Sequence, residues 1–179
     1  EVSVTAAGPR RMVASCHTPA APGQHVHTDG PRVQRLRRNL LELVLSAYPD
    51  TAERPAAGHR PTEFQALLAR YGVTQSRFGR HIVTTEVDRS HPYLRSDAAQ
   101  SIHCHRCIRA CDEVQGSLVL AMHGRGHASR VIRSLDRDFR GSDCVSCGRC
   151  VQSCPTNALS DRYQAKTLIA DRTVRTTCT

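Results

Sequence analysis

Apolar positions in the first part of the chain alternate with polar ones over short runs. Within residues 1–28, Val2 and Val4 alternate with polar neighbours, and Gly8-Pro9 and Pro22-Gly23 separate further short runs. Alternation bounded by glycine and proline is typical of short β-strands. The pattern therefore predicts a β fragment that is too small to stand alone.

The apolar spacing becomes helical after residue 30. A helix is predicted from about Pro31 to Ala47, and it ends before Tyr48-Pro49 because a proline disfavours helical geometry in the preceding residue. Its expected buried face, at steps of three or four residues, consists of Val33, Leu36, Leu40, Val44 and Ala47. Its expected solvent face carries Arg32, Arg35 and Arg38.

A second helix is predicted to begin at Pro61 or Thr62 and to end at Gly72, because a left-handed glycine commonly terminates a helix. Its apolar face consists of Phe64, Leu67, Leu68 and Tyr71. The intervening residues 49–60 are rich in Pro, Ala and Gly and are predicted to form a loop. We expect the two apolar faces to pack together.

Only short apolar runs occur in the remainder of the chain. A β-branched run, Ile82-Val83-Thr84-Thr85, stands out in residues 73–100. Further along, residues 118–122 and 129–132 flank Gly124-Arg125-Gly126, which predicts a β-hairpin. Residues 161–179 are polar and are predicted to be a linker.

Seven of the nine cysteines lie between residues 104 and 154, in two related runs. The complete run is Cys144-x-x-Cys147-x-x-Cys150-x-x-x-Cys154-Pro155, and the imperfect one is Ser101-x-x-Cys104-x-x-Cys107-x-x-x-Cys111. Four thiolates at this spacing are the ligand pattern of a 4Fe-4S cluster, and in two-cluster ferredoxins the fourth cysteine of each run ligates the other cluster. The runs therefore predict an electron-carrying module with two cluster sites.

Crosswise pairing gives one complete ligand set, which consists of Cys111, Cys144, Cys147 and Cys150. The second set consists of Cys104, Cys107 and Cys154, with Ser101 at the fourth corner. Serine ligates iron only as an alkoxide, which is a harder donor than thiolate. The second site therefore admits a labile cube of low potential, a three-iron cluster, a cube with water or hydroxide at one iron, or no cluster. We favour the labile cube.

A structural zinc site is the competing interpretation, because paired Cys-x-x-Cys motifs also form zinc ribbons. It is disfavoured because one zinc ion would leave Cys111, Cys150 and Cys154 unused. His103 and His105 lie inside the first ligand loop, where they either donate hydrogen bonds to cluster sulfurs or are simply exposed.

Composition narrows the class of protein. Aromatic residues make up 4% of the 179 residues and Trp is absent, so we expect a fold that depends on bound clusters. No run approaches the roughly 20 apolar residues of a membrane span. The close cysteine spacing favours metal ligation in a reducing compartment, and the start at Glu1 shows no signal-peptide pattern. We expect a cytoplasmic location, with any membrane association made through a complex.

The formal net charge of +9 comes mainly from scattered arginines and is best explained by a solvated basic surface. A zinc-stabilised nucleic-acid-binding module is the alternative from a different class. No nucleophile–base pair, phosphate-binding glycine loop or catalytic carboxylate pair is found, so no catalytic site is expected within the chain.

At its motifs the chain resembles a known family: the iron–sulfur electron-input region of NAD-linked, molybdopterin-containing formate dehydrogenase alpha subunits. The related large iron–sulfur subunit (G-type) of NADH:quinone oxidoreductase shares this resemblance. The matching stretches are Ser90-His91-Pro92-Tyr93-Leu94-Arg95, residues 107–116, Gly124-Arg125-Gly126 and residues 143–156.

The resemblance implies an α+β fold, in which a two-cluster 4Fe-4S ferredoxin-like module follows a two-helix segment and the β remnant of a 2Fe-2S ferredoxin domain. The implied domains are residues 1–29, 30–92, 93–160 and a linker at 161–179 that leads into a molybdopterin domain. Cys16 would be the last ligand of the 2Fe-2S cluster, whose other ligands would lie upstream of Glu1. Cys178 would be the first ligand of a further 4Fe-4S cluster. Neither site can be completed by this chain.

One departure from the family pattern concerns a cluster held by one histidine and three cysteines. Tyr48-Pro49 stands where the family has a His-Pro pair, and residues 49–66 contain no cysteine. That cluster is therefore predicted to be absent, and residues 30–92 to be a degenerate connecting segment.

The function implied by the resemblance is the relay of single electrons between a molybdopterin active site and a flavin/NAD diaphorase subunit. The alternative is the equivalent part of NADH:quinone oxidoreductase or of an NAD-linked hydrogenase.

Overall fold

The computed structural model describes residues 2–3, 9–15, 17–49, 61–80 and 87–163. Its helices are α1 (Pro31–Ser46), α2 (Glu63–Tyr71), α3 (Arg106–Arg109) and α4 (Arg149–Ser153). Its strands are β1 (Val2–Ser3), β2 (His25–Val26), β3 (Leu94–Ser96), β4 (Leu120–His123), β5 (Arg130–Arg133) and β6 (Leu159–Asp161). In these ranges the strands form three antiparallel pairs, β1 with β2, β3 with β6 and β4 with β5.

Both predicted helices are confirmed, and their ends follow from local chemistry. Helix α1 has Pro31 in its first turn and stops at Ser46, just before Tyr48-Pro49. Helix α2 starts in a capping box, in which the Gln65 N–H donates to the Thr62 hydroxyl over 3.2 Å and the Gln65 side chain accepts from the Thr62 N–H. It ends at Gly72, whose φ of 63° lies in the left-handed region.

The predicted buried face of α1 is wrong in its centre, and Ala47, which was predicted to belong to it, follows the last helical residue and is exposed. Leu36 and Leu40 are 42% and 52% exposed, whereas Glu42 is buried. The shift follows from an ion pair that the apolar spacing does not reveal, since the Arg77 guanidinium lies 2.5 Å from the Glu42 carboxylate. Leu36 and Leu40 precede Glu42 by six and two residues, which places them on the opposite side of the helix, where they face solvent.

A small helical core joins the two-helix segment to the cysteine-rich region. It consists of Leu45, Tyr48, Phe64, Leu68 and Val73. The rings of Tyr48 and Phe64 meet edge to face at 5.0 Å. The Phe64 N–H donates to the Pro155 carbonyl over 3.0 Å, and the Tyr48 hydroxyl lies 3.4 Å from the Thr156 carbonyl. The two-helix segment therefore packs on the residues that follow Cys154.

The cysteine-rich region is closed by pairing of strands that lie far apart in sequence. Strand β3 pairs with β6, with Leu94 opposite Asp161. The predicted hairpin is confirmed as β4 and β5, which pair from Leu120 with Arg133 to His123 with Arg130. The core beneath these strands consists of Leu94, Leu120, Phe139, Cys150 and Leu159.

Asp88 ties several parts of this region together. Its backbone exchanges two hydrogen bonds with Ser96, and its carboxylate accepts from the N–H groups of Ser90 and Phe139, each over 2.9 Å. Burial alone would raise the pKa of Asp88, but these hydrogen bonds and the nearby Arg133 charge hold the pKa below its usual value.

None of the helices in the described ranges combines the length and apolar character needed to cross a bilayer. The β-branched run Ile82–Thr85 and most of the predicted 161–179 linker lie outside the described residues, so those expectations stay predictions.

Candidate iron–sulfur centres

The four residues of the complete predicted set surround one cavity. Cys144 and Cys147 lie in the loop before α4, and Cys150 lies within α4. Cys111 comes from a π-helical turn, Ala110–Val114, that follows α3. The cavity has an otherwise uncharged wall that includes Leu94, Val119, Leu120 and Phe139.

The residues of the second predicted set surround a neighbouring cavity. Ser101 and Cys104 lie in the loop before α3, Cys107 lies in α3, and Cys154 follows α4. Leu120 lines both cavities. Each cavity thus takes three residues from one run and one cysteine from the other.

The two ligand loops have matching backbone conformations. His103 and His105 have φ angles of 52° and 61°, and the equivalent Ser146 and Gly148 have φ angles of 58° and 71°. Left-handed residues at such positions make turns whose N–H groups point into a concavity, as is common at iron–sulfur and anion sites. The conformation of the loops therefore suits a negatively charged cluster.

Ser101 occupies the same place in its loop as Cys144 does in the other. The Ser146 N–H donates to the Cys144 sulfur over 3.4 Å, and the His103 N–H donates to the Ser101 oxygen over 3.3 Å. The serine oxygen is therefore turned towards its cavity in the way that the cysteine sulfur is.

Cys154 also receives hydrogen bonds. The Leu159 N–H donates to the Cys154 sulfur over 3.5 Å, and the Thr156 hydroxyl lies 3.7 Å from it. Donors aimed at a thiolate stabilise its negative charge. Because Thr156 is buried, these contacts tie Cys154 firmly to the strand that follows it.

Burial makes several of these thiols hard to ionise without a cation. It raises the pKa of Cys150 to about 12 and that of Cys107 to about 11, and in both cases neighbouring cysteines add to the rise. Burial also raises the pKa of Cys144, which the Ser146 N–H partly offsets. These thiols would therefore release their protons on binding metal rather than before it.

The predicted ligands that line the two cavities are all thiols, except for the Ser101 hydroxyl. In the described ranges, no three His, Cys, Asp or Glu side chains come close enough together to hold a single metal ion. Thiolates that line a cavity of this kind fit the donor set of an iron–sulfur cluster.

The two cavities differ in charge. Besides Ser101 and the cysteines, the ionisable residues that line the second are Asp97, His103, His105, Arg130 and Arg133. Both histidines line the cavity and are exposed, so both interpretations of them stay predictions. Arg133 lies 3.4 Å from Asp88 and stacks over the Phe139 ring at 5.0 Å.

His91, for which the sequence predicts no role, is buried beside the ligand loop that contains Cys144 and Cys147. Its side chain is 3% exposed, and Nε2 lies 3.0 Å from the Ser146 hydroxyl. The residues around His91 show no periodic pattern, so the sequence pointed to this histidine only as part of the Ser90–Arg95 stretch.

Cys16 and Cys178 lie outside the described residues, and their predicted roles stay predictions.

Comparison with known proteins adds independent information. The pattern of the 4Fe-4S dicluster domain matches residues 100–158. A G-type subunit of the NADH-quinone oxidoreductase of Rhizobium meliloti is 31% identical over 166 residues, which cover 89% of this chain and 19% of that protein. The HndD subunit of the NADP-reducing hydrogenase of Solidesulfovibrio fructosivorans is 34% identical over 153 residues, or 85% of this chain and 26% of that protein. The chain thus spans about a fifth to a quarter of the length of these relatives.

A solved structure is similar over most of the chain. It is the crystal structure of an NAD+-reducing NiFe-hydrogenase in its H2-reduced state. The TM-score is 0.76 at 31% sequence identity, and the match covers 89% of this chain and 67% of that one. The similarity therefore extends well beyond the cysteine runs.

Proposed function

The chain belongs to a family of iron–sulfur subunits with a 4Fe-4S dicluster domain, and from this premise we propose that it relays single electrons within an NAD(P)-linked oxidoreductase complex. The family includes the G-type subunits of NADH-quinone oxidoreductase and related hydrogenase subunits. The observation that carries the proposal is the pair of adjoining cavities, each lined by three residues of one run and a cysteine of the other. When bound, each cluster would accept and release one electron at a time.

The residues of the chain would hold and shield these clusters. Cys111, Cys144, Cys147 and Cys150 would bind the first through their thiolates. Leu120, which lines both cavities, would exclude water from the space between the two sites. Backbone donors such as the Leu159 N–H would stabilise the ligand charge. Such burial and hydrogen bonding are the means by which a protein sets cluster potentials.

We propose that Cys104, Cys107 and Cys154 bind the second cluster and that Ser101 supplies its fourth ligand through oxygen. Support comes from the two loop hydrogen bonds, 3.3 Å to the Ser101 oxygen and 3.4 Å to the Cys144 sulfur, which are made by equivalent backbone N–H groups. An oxygen corner is a harder ligand than sulfur, so this cluster is expected to be the more labile and to have the lower potential.

Iron and sulfide analysis of the anaerobically prepared chain tests the whole proposal. Two cubes correspond to about eight irons, with visible absorbance that bleaches on addition of dithionite. The exposed, equivalent residues Cys104 and Cys147 offer a matched pair of variants. Cys147→Ala should alter the EPR spectrum of the first cluster alone, and Cys104→Ala that of the second alone. A colourless protein that contains zinc would overturn the proposal in favour of a structural, nucleic-acid-binding module.

Variants at position 101 test the oxygen ligand. Ser101→Cys should keep the iron content and slow the loss of iron from the second cluster to a chelator. Ser101→Ala should lose about one iron and give the EPR signal of an oxidised three-iron cluster. Equal iron content and equal spectra for Ser101→Ala and the unchanged protein would show that the serine oxygen is not a ligand.

Within this family, we propose a formate-dehydrogenase-like assembly, in which electrons pass between a molybdopterin domain and a flavin/NAD diaphorase subunit in the cytoplasm. Support comes from the matching stretches at residues 90–95, 107–116 and 143–156. In that assembly, Cys16 would complete a 2Fe-2S cluster and Cys178 would begin a further 4Fe-4S cluster. NADH:quinone oxidoreductase and NAD-linked hydrogenase are supported equally by the similarities.

The natural electron donor distinguishes these assemblies. The complex that contains this chain would be purified anaerobically and exposed in turn to formate, hydrogen and NADH. Bleaching of the cluster absorbance by formate supports the formate-dehydrogenase-like assembly. Bleaching by hydrogen but not formate would overturn it in favour of a hydrogenase, and bleaching by NADH alone would favour the quinone reductase.

A further inference from the structure

His91 is held in one orientation and one tautomer by its neighbours. Its Nδ1 atom accepts two backbone hydrogen bonds, from the N–H groups of Tyr93 and Leu94, each over 3.0 Å. A nitrogen that accepts cannot carry the ring proton, so the proton resides on Nε2. The ring meets Phe139 edge to face at 5.8 Å, and Phe139 is 2% exposed. The imidazole therefore presents a fixed N–H donor.

That donor is aimed at the ligand loop that contains Cys144 and Cys147. Nε2 of His91 lies 3.0 Å from the Ser146 hydroxyl, so the imidazole N–H donates to the serine oxygen. Ser146 lies between the ligands Cys144 and Cys147 and has a φ of 58°. A left-handed conformation is unfavourable for a residue other than glycine and persists where its surroundings impose it. The His91 contact is such a constraint.

The conformation of Ser146 also determines where its backbone N–H points. This N–H donates to the Cys144 sulfur over 3.4 Å. Hydrogen bonds to a ligand sulfur stabilise the more negative, reduced state of a cluster and raise its reduction potential. A side chain that fixes Ser146 would therefore act on the cluster through Ser146 and Cys144, without touching the cluster itself.

We propose that His91 is a positioning residue that sets the reduction potential of the first cluster by holding Ser146 in the conformation that directs its N–H at Cys144. This inference rests on the proposed function, because it needs the first cluster to be present. His91 and Ser146 are 55 positions apart in the sequence, and their contact links the segment before β3 to the ligand loop before α4.

Two substitutions at position 91 separate the acceptor role of Nδ1 from the donor role of Nε2. In His91→Asn, the side-chain oxygen lies near the position of Nδ1 and can accept hydrogen bonds from the Tyr93 and Leu94 N–H groups. The asparagine side chain is too short, however, to reach Ser146. The amide nitrogen of Gln in His91→Gln lies near the place of Nε2 and can donate to Ser146, but it leaves those two backbone N–H groups without their acceptor. Ser146→Ala removes the hydroxyl acceptor from the other side.

The experiment is a redox titration of the cluster-loaded chain followed by EPR, with thermal unfolding measured on the same samples. His91→Asn and Ser146→Ala should lower the potential of the first cluster and leave that of the second unchanged. The double variant should lower it no further than either alone, because both remove the same contact. His91→Gln should unfold at a lower temperature yet keep a potential close to that of the unchanged protein. The exposed His123 gives a control, since His123→Asn should change neither quantity.

A purely structural histidine would give a different result. The inference is overturned if His91→Asn leaves the potential of a fully loaded first cluster unchanged, or if His91→Gln lowers it as much as His91→Asn does. Iron analysis separates this failure from that of the proposed function. An iron-free chain would overturn both, whereas a loaded chain whose potential ignores position 91 would overturn this inference alone.

Discussion

At the scale of single residues, cysteines at different positions within a run differ in their access to solvent. The equivalent Cys104 and Cys147 are exposed, whereas Cys107 is half-buried and Cys150 is 7% exposed. Burial also raises the pKa of Cys150 to about 12, so little of the reactive thiolate forms there at neutral pH. The ligands should therefore respond unequally when iron is removed.

Removal of iron with a chelator should make the cysteines reactive in an order set by exposure. After brief treatment with iodoacetamide at neutral pH, mass spectrometry should find Cys104 and Cys147 alkylated first and Cys150 last. The cluster-loaded protein serves as control and should resist alkylation at all of the ligand cysteines. Simultaneous modification of Cys147 and Cys150 would mean that the cavity does not persist without iron.

Asp88 gives a prediction about acid stability. The pKa of this carboxyl group is lowered in the folded chain, because the N–H groups of Ser90 and Phe139 and the charge of Arg133 outweigh the effect of burial. A carboxylate with a lowered pKa contributes stability above its unfolded pKa of about 3.9, and this contribution is lost as the pH falls through the folded pKa.

At pH 7 Asp88→Asn should therefore destabilise the fold, by about 1–3 kcal/mol for the hydrogen bonds it disturbs. The difference between the variant and the unchanged protein should shrink as the pH falls below about 4, because the unfolded chain then binds the proton more readily than the folded chain does. Denaturant unfolding followed by circular dichroism between pH 3 and pH 7 measures this difference. A difference that stays constant over that range would rule out an electrostatic role for Asp88.

At the scale of elements, the two-helix segment supports the second cluster site rather than the first. Phe64 donates its N–H to Pro155, and Tyr48 contacts Thr156, both in the segment that follows Cys154. The Arg106 guanidinium, between Cys104 and Cys107, also pairs with Glu63 of α2 at 2.5 Å. Disturbing the helical core should therefore loosen the ligands of the second cavity first.

The variant Phe64→Ala tests this coupling. Truncation of a phenylalanine that is 2% exposed typically costs about 3–5 kcal/mol. We expect iron loss from the second cluster to become faster, with a smaller effect on the first, when release to a chelator is followed by EPR. Leu40→Ala is the matched control, because Leu40 is 52% exposed and its truncation should cost under about 0.5 kcal/mol. Equal acceleration for both clusters would place the coupling elsewhere.

Local signals made some of these elements predictable from sequence and left others hidden. The hairpin follows from the short runs around Gly124 and Gly126, and the end of α2 follows from Gly72, because turn and cap preferences act within a few residues. The buried face of α1 was predicted wrongly, because Glu42 is buried by Arg77, which lies 35 positions away. The pairing of β3 with β6 leaves no signal in such short strands.

The candidate site was likewise predictable from the sequence only in part. Spacing within each run indicates which residues could share a cluster, because the ligand loop is a local structure. The left-handed positions at His103 and Ser146 were not predictable, since neither residue type demands that conformation. The role proposed for His91 depends on a contact across 55 positions, and no short-range pattern reports such a contact.

At the scale of the whole molecule, the two cavities depend on each other for completion. Cys111 belongs to the upstream cysteine run but lines the first cavity, together with three cysteines of the downstream run. Cys154 belongs to the downstream run but lines the second cavity, together with residues of the upstream run. The small apolar core also includes these cysteines at its edge. Loss of both clusters should therefore remove much of what holds residues 93–160 together, as is typical of small metal-dependent domains.

The antiparallel pairing of β3 with β6 bears on how the cysteine-rich region could be exchanged between proteins. Leu94 lies opposite Asp161, so the polypeptide enters and leaves the cysteine-rich region side by side. A unit whose ends adjoin can be inserted into a longer chain, or deleted from it, with little disturbance on either flank. This geometry would let gene fusion insert the cysteine-rich region into longer chains of quite different kinds.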